Sequence, residues 1–593
     1  MQLPDSVADS ALAQLFTGDA LAREISWFSL PGGQTLCEAG ETADQLFFLR
    51  TGRLGAIRRE EGQEPQFLGV IRPGEPAGEM AMIAGTRHTA TVVALRDSEI
   101  LAMPRAVFLK AAEHDAAVMI ELARLMMLRA RQTANRTPIG EPSVFGFIGV
   151  TADVAVRELV EALAAEIEAF GYSVTTMGEE VQHAPTEWFS NVEQAHDFVL
   201  YAAEARQTAW KHIVGRQVDR LFRLGRGDRP PPAEVDLYAF AALENHRFVD
   251  LVLLQPAGRA RPADSDAWID AVRPARLFHL RQGELGGVQR LARTLAGLSV
   301  GLVLSGGGAR AYAHIGAIRA LRAAKVPIDF VGGVSMGAII AAALAMGWDD
   351  EEIDWRIRKA FVESSPVDDI AVPLIALTQG EKVRVRLKEH FADQEIADLW
   401  LPFFCVSSNL TSGAYQLHQR GMLRRALRAS IAIPGLLPPM TQGDNVLVDG
   451  AVMKNFPADI MRSMHLGPIV GVDVTRGKSI VAADVARPDT VWRWIFSGQW
   501  RKGPPIVSLL LRTATVSTAR DIAANREASD VLVLPQMDDV EIRDWDAYDP
   551  AVEAGRVATE EALAKLSRPV TDLRRRRALE DAETRAPVSV SPG

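Results

Sequence analysis

Short apolar runs that end in glycine-rich turns mark the C-terminal half of the chain. Residues 299–304 (SVGLVL) read as a buried strand and residues 328–331 as another. The first runs into Ser305-Gly306-Gly307-Gly308-Ala309-Arg310, then a helix predicted over about 309–324 with Ile315, Ile318 and Leu321 as its apolar stripe. The second runs into Gly333-Val334-Ser335-Met336-Gly337, then a nearly all-apolar helix over 338–346 that Gly347 closes. A third short strand, 446–448, ends in Asp449-Gly450-Ala451.

Earlier in the chain the pattern differs. Residues 28–36, 45–49, 55–58 and 67–71 read as short strands punctuated by glycine and proline. A helical stretch over about 104–134 follows, with Leu122, Leu125 and Met126 on its apolar face. This predicts a small β-barrel or jelly roll closed by a helix. A polar break at 135–142 (NRTPIGEP) reads as a linker. Strands at 145–150, 172–176, 198–201, 248–254 and 275–280, with a helix over 154–170, then predict a parallel α/β layer.

At 593 residues the chain is too long for one core. The reading is multidomain: an N-terminal β-jelly-roll unit (1–134), a central α/β segment (144–297), a C-terminal α/β unit (298–566), and a tail without fixed structure (567–593). The net charge of −10 argues against nucleic acid as a partner. The arginine run 574–577 is answered by Glu580, Asp581 and Glu583. Only Cys37 and Cys405 occur, which fits a reducing, cytoplasmic compartment. No signal peptide, transmembrane window or metal-ligand cluster is expected.

The chemistry centres on Ser335. Glycines on both sides permit the strained turn that exposes a serine hydroxyl, and the following helix offers its N-terminus. The Gly306–Gly308 loop before a helix aims backbone N–H groups at one spot, which suits an oxyanion. The alternative for that loop is a dinucleotide fingerprint, G-x-G-x-x-A at Gly306, Gly308 and Ala311, with Asp329 near the ribose position. Asp449, at a strand end beside a glycine, is either a base reaching into a cleft or an ordinary turn residue. His314 and His418 are the histidines a triad would need, and both read as structural.

Together these pieces resemble the patatin-like phospholipase family, over about residues 298–566. That family combines an S-G-G-G-A-R loop, a G-x-S-x-G serine and a D-G-[GA] aspartate. The runs 398–403, 429–435 and 455–457 also look familial; Ala311 departs, where many relatives have glycine. The resemblance implies a Ser335–Asp449 dyad that hydrolyses fatty-acyl esters, with Gly306, Gly307, Gly308 and Arg310 around the oxyanion and no cofactor required. The N-terminal unit resembles a cyclic-nucleotide-binding domain, carried by Pro31-Gly32, Gly40-Glu41, Asp44, Gly52 and the run 78–92. Gly78 and Glu79 match its phosphate-binding cassette. His88, followed by Thr89, stands where the family's phosphate-pairing arginine belongs, and Arg87 lies one residue early. Arginine pairs a phosphate bidentately and histidine does not. The cassette therefore leaves two readings open: cyclic nucleotide as effector, or an unliganded regulatory or assembly module.

The order of the three parts resembles the neuropathy target esterase group, which implies phospholipid or lysophospholipid substrates. The opposing class is a non-catalytic regulatory protein that binds cyclic nucleotide or another protein. Two stretches are candidate lipid contacts: 491–511, with Trp492, Trp494, Phe496 and Trp500 among basic residues, and the proline-rich loop 433–440.

Overall fold

The computed structural model describes residues 24–58, 66–114, 119–127 except 121 and 125, 143–363 except 185, 207 and 234–248, 369, 371, 375–475, 519–537 and 540–575. The candidate lipid contact at 491–511 lies outside these residues, as does the tail beyond Arg575.

The N-terminal part forms a mainly antiparallel barrel of β1 (Ser26–Leu30), β2 (Thr35–Cys37), β3 (Gln45–Arg58), β4 (Gln66–Ile71), β5 (Pro76–Ala77) and β6 (Thr91–Pro104). The run expected as one strand over 28–36 is broken into β1 and β2 by a turn at Pro31–Gly33, with Gly33 at φ 89°, after which the chain continues antiparallel to β6. The long partners β3 and β6 place Arg53 opposite Arg96. These two arginines leave the barrel together. Arg53 pairs with Asp219 (2.5 Å) and Arg96 with Glu193 (2.5 Å) of the central layer. Two adjacent, largely buried cations are thus matched by two largely buried carboxylates, which fixes how the barrel seats.

The central layer is an all-parallel sheet in the order β12-β11-β10-β7-β9-β8. Its strands are β7 (Val144–Gly149), β8 (Val174–Met177), β9 (Phe198–Ala203), β10 (Arg220–Arg226), β11 (Val249–Gln255) and β12 (Arg276–Arg281). Strand β10 was not expected. Its sequence, RLFRLGR, hides a buried apolar strand among arginines, whose charges are taken up elsewhere. Asp250 of β11, fully buried, pairs with Arg220 (2.5 Å) and Arg276 (2.6 Å) across three neighbouring strands.

The hydrolase-like sheet runs β17-β18-β15-β14-β13-β19-β20, with β16 on the side of β15. These are β13 (Gly301–Leu304), β14 (Phe330–Val334), β15 (Phe403–Asn409), β16 (Ala414–His418), β17 (Met440–Gln442), β18 (Asn445–Asp449), β19 (Ile469–Val472) and β20 (Val531–Val533). Its inner strands are apolar on both faces, as strands covered on both sides must be. Alternation assigns each face. Leu302, Leu304, Val331, Phe403 and Cys405 pack under the helices Ala313–Ala323 and Met336–Ala345. Val303, Phe330, Phe404 and Val406 point the other way, into a core shared with Phe145, Phe147, Phe222 and Phe278 of the central layer.

The central segment and the hydrolase-like unit, divided at 297/298 in the sequence, therefore share one hydrophobic core. Phe278 meets Phe330 edge to face, with ring centroids 6.1 Å apart. Polar ties reinforce the joint: His279 Nε2 lies 2.8 Å from the Ala397 carbonyl, Ser265 N–H donates to Asp398 (3.0 Å), and Arg290 donates to the Trp400 carbonyl (2.6 Å). The tail assignment also shifts. Residues 567–575 are placed, with Val570 buried and a 3-10 turn over Val570–Arg574.

Candidate active site

Strand β14 ends in the elbow. An added Cβ on Gly333 would lie 2.7 Å from the Gly337 backbone, and one on Gly337 would collide with the Ser305 carbonyl. Both flanking glycines are therefore demanded by close backbone approach. Between them Ser335 takes φ 55° and ψ −130°, a costly conformation for a residue with a side chain. The helix Met336–Ala345 starts directly behind it and is buried throughout.

Asp449 closes β18, which pairs antiparallel with β15 so that Ser407 lies opposite Asp449. The next residue must be glycine, since a Cβ on Gly450 would collide with the Val406 carbonyl. The Asp-Gly pair is thus no ordinary turn. Ser335 Oγ donates to Asp449 Oδ2 at 2.7 Å, and Ala451 N–H donates to Oδ1 at 2.9 Å. The carboxylate is 1% exposed. Burial raises its pKa to about 7, against the lowering effect of the hydrogen bonds from Ser335 and Ala451. A carboxylate beside a serine hydroxyl, tuned near neutrality, is equipped to take the hydroxyl proton.

The glycine-rich loop is tied down at several points. His314 Nε2 lies 2.8 Å from the Ser305 carbonyl, Val474 N–H donates to Ser305 Oγ (2.9 Å), and Gly306 N–H donates to Asn455 Oδ1 (3.1 Å). The last contact corrects the expectation of three loop donors. Gly306 N–H is committed to a side chain, so the loop offers Gly307 and Gly308, whose N–H groups have no acceptor among the described residues. Gly308 has φ 57°, and its missing Cβ leaves room for the Ile542 carbonyl. Arg310 is buried within the 3-10 turn Gly308–Tyr312.

Neither histidine joins the pair. Burial lowers His314 to about 4, so it is neutral and serves the Ser305 carbonyl. His418, also lowered to about 4 by burial, bonds Ser407 Oγ at 2.8 Å. The dinucleotide alternative for the loop also fails. Asp329, its ribose-binding candidate, is gripped by Arg293 (2.6 and 3.0 Å) and by Val300 N–H (3.1 Å).

Residues 302–462 match the family model described as patatin-like phospholipase, and residues 27–115 match that of the cyclic nucleotide-binding domain. A Mycobacterium tuberculosis protein named as an NTE family protein is 31% identical over 564 residues, spanning 92% of this chain and 93% of its own. The chain belongs to the NTE family. Neuropathy target esterase of Drosophila melanogaster is 25% identical to this NTE-family chain, over 92% of the chain and 43% of its own length. Lysophospholipase NTE1 of Mycosarcoma maydis is 25% identical over 84% and 31%.

In the cassette of this NTE-family barrel, Gly78 has φ 82° and opens the short helix Glu79–Ala84, with Glu79 buried. His88 is buried too, its ring beneath Gly78, whereas Thr89 and Arg87 are exposed. The Arg87 guanidinium donates to the Gly40 carbonyl at 2.6 Å. In the loop 433–440, Leu436 and Leu437 turn inward and are buried, so this candidate lipid contact spends its leucines on the core. Two residues with roles in the site, Ser430 and Asn455, lay in runs that looked familial but suggested no task. Their partners are 95 and 149 residues away.

Proposed function

We propose that this protein is a serine esterase that hydrolyses fatty-acyl esters of phospholipids or lysophospholipids through Ser335 and Asp449. The observation that carries the proposal is the 2.7 Å bond from Ser335 Oγ to a buried carboxylate with its pKa near neutrality. In this reading Ser335 Oγ attacks the ester carbonyl while its proton passes to Asp449 Oδ2. The carbonyl oxygen becomes an oxyanion that accepts hydrogen bonds from Gly307 and Gly308 N–H. Collapse expels the alcohol, which takes the proton from Asp449, and leaves an acyl-Ser335 ester. Asp449 then takes a proton from water, whose hydroxyl attacks that ester. The fatty acid leaves, and the proton returns to Ser335 Oγ.

The pH dependence tests this directly. Asp449 must be ionised to act, and its pKa lies at about 7. The acid limb of kcat/KM on a lysophospholipid should therefore fall near neutrality, with activity at pH 6 roughly a tenth of the plateau. A limb near pH 4, the range of an ordinary carboxylate, would count against Asp449 as the base.

For the barrel we propose a seating and regulatory role. Its Arg53 and Arg96 plug into the central layer, while Arg87 is engaged by Gly40 and an imidazole stands at the phosphate position. Cyclic AMP or cyclic GMP at millimolar concentration should leave both turnover and Tm unchanged. A rise in either would restore the nucleotide-effector reading. A cytoplasmic protein in peripheral contact with lipid belongs to the same proposal; no helix among the described residues is long and apolar enough to cross a membrane.

A further inference from the structure

Ser335 and Asp449 come from different strands, and β15 runs between those strands. Val334, just before the serine, is in register with Val406 of β15, and Asp449 is in register with Ser407. That register brings the two residues near each other but does not set the separation of their side chains. The elbow is also strained, at φ 55°, and its backbone N–H precedes the first helical turn, where no intrahelical acceptor exists.

That N–H is met by a side chain. Ser335 N–H donates to Ser430 Oγ at 2.9 Å, and the Ser430 hydroxyl donates its own proton to the Val406 carbonyl at 2.7 Å. Ser430 is the last residue of the helix Leu423–Ser430 and is fully buried. Two residues further on, the Ala432 carbonyl accepts from Asp449 N–H at 2.9 Å. One short stretch of chain therefore grips the backbone of the serine, the strand between, and the backbone of the aspartate.

We infer that Ser430 is a positioning residue, which together with the Ala432 carbonyl sets the distance between Ser335 Oγ and Asp449 Oδ2. This inference rests on the Ser335–Asp449 reading above. The hydroxyl is needed both as acceptor and as donor, and threonine alone among the other aliphatic side chains supplies both. Holding Ser335 N–H in this way also leaves the oxyanion to Gly307 and Gly308. Without the hydroxyl, a buried N–H on a strained residue loses its acceptor and the elbow can relax away from Asp449.

The test compares the full-length parent, Ser430→Ala and Ser430→Thr by lysophospholipid kinetics, fluorophosphonate labelling rate and Tm. Ser430→Ala should lower kcat by about 10- to 100-fold, as sub-ångström to 1 Å misplacement does, with KM within about twofold. The labelling rate should fall in parallel. The acid limb should move upward by about half a unit, because the Ser335 hydrogen bond that holds the Asp449 pKa down is weakened. A residue that served only packing would lower Tm without moving that limb. Ser430→Thr should return kcat to within about threefold of the parent.

A folded Ser430→Ala protein with parental kcat and an unshifted limb would overturn the inference. Should the alanine variant not fold, Ser430→Thr decides: parental kcat and limb support the inference, and a folded threonine variant that has lost tenfold or more in kcat overturns it. The parent separates the two levels of the argument. If fluorophosphonate does not label Ser335 in the parent, the esterase reading itself fails. If it does, and the alanine variant labels equally fast, only the role of Ser430 fails.

Discussion

Replacing Asp449 by asparagine should lower kcat on a lysophospholipid by about 10²–10⁴-fold, the range a general base supplies. Asparagine keeps the shape and can still accept the Ala451 N–H that Asp449 Oδ1 accepts at 2.9 Å, but it cannot take a proton from Ser335. Ser335→Ala should remove activity by about 10⁴-fold or more, since no acyl-enzyme can then form. The double variant should be no worse than Ser335→Ala alone, because groups that act as one unit lose their effect together. Steady-state kinetics on the three purified proteins, with Tm to confirm folding, checks each statement. Retention of more than a tenth of parental kcat by Asp449→Asn would contradict the assignment of the base. The non-catalytic alternative predicts that neither change matters.

The second large effect is structural. A fragment that begins at residue 298 should fail to give a folded esterase. Val303, Phe330, Phe404 and Val406 would lose the cover that the central layer adds to that of Phe456 and the helix Ala458–Met464, and part of that face of the hydrolase sheet would be open to water. A milder version leaves the chain whole. Phe278→Ala should cost about 3–5 kcal/mol, as a fully buried phenylalanine does, and Phe278→Asp should prevent folding by placing a charge against Phe330. Expression of the fragment, with Tm and activity measured beside the full chain, tests this. A soluble, active fragment would show two independent domains and contradict the shared core.

That joint also shows where the sequence stops being legible. The elbow, the glycine loop and the Asp-Gly pair could be read because each meets a local demand. Gly333, Gly337 and Gly450 stand where backbone runs against backbone, and only glycine fits. The two faces of β13, β14 and β15 could not be assigned, because strands apolar on both sides do not say which helix or sheet covers which side. Strand β10 was hidden for a related reason. Its arginines look like a surface, yet Arg220 answers Asp250, thirty positions along the chain.

The polar scaffold of the site was hidden more deeply. Nothing in the neighbourhood of Asn455 says that its amide oxygen will take the Gly306 N–H and so reduce the loop's free donors to Gly307 and Gly308. Nothing around Ser430 says that its hydroxyl will bridge Ser335 and Val406. Such contacts are made between chain segments that only the fold brings together. The barrel shows the reverse case. The departure at His88 was visible in the sequence, and the structure adds that Arg87 is spent on Gly40.

The central claim is that Ser335 is a nucleophile activated by Asp449. Fluorophosphonate labelling of the purified full-length protein, with the adduct located by peptide mass spectrometry, tests it most directly. The account predicts one adduct, on Ser335, that is absent from Ser335→Ala and forms at least 100-fold more slowly in Asp449→Asn. An adduct on another serine, or equal labelling of the Asp449→Asn protein, would contradict it.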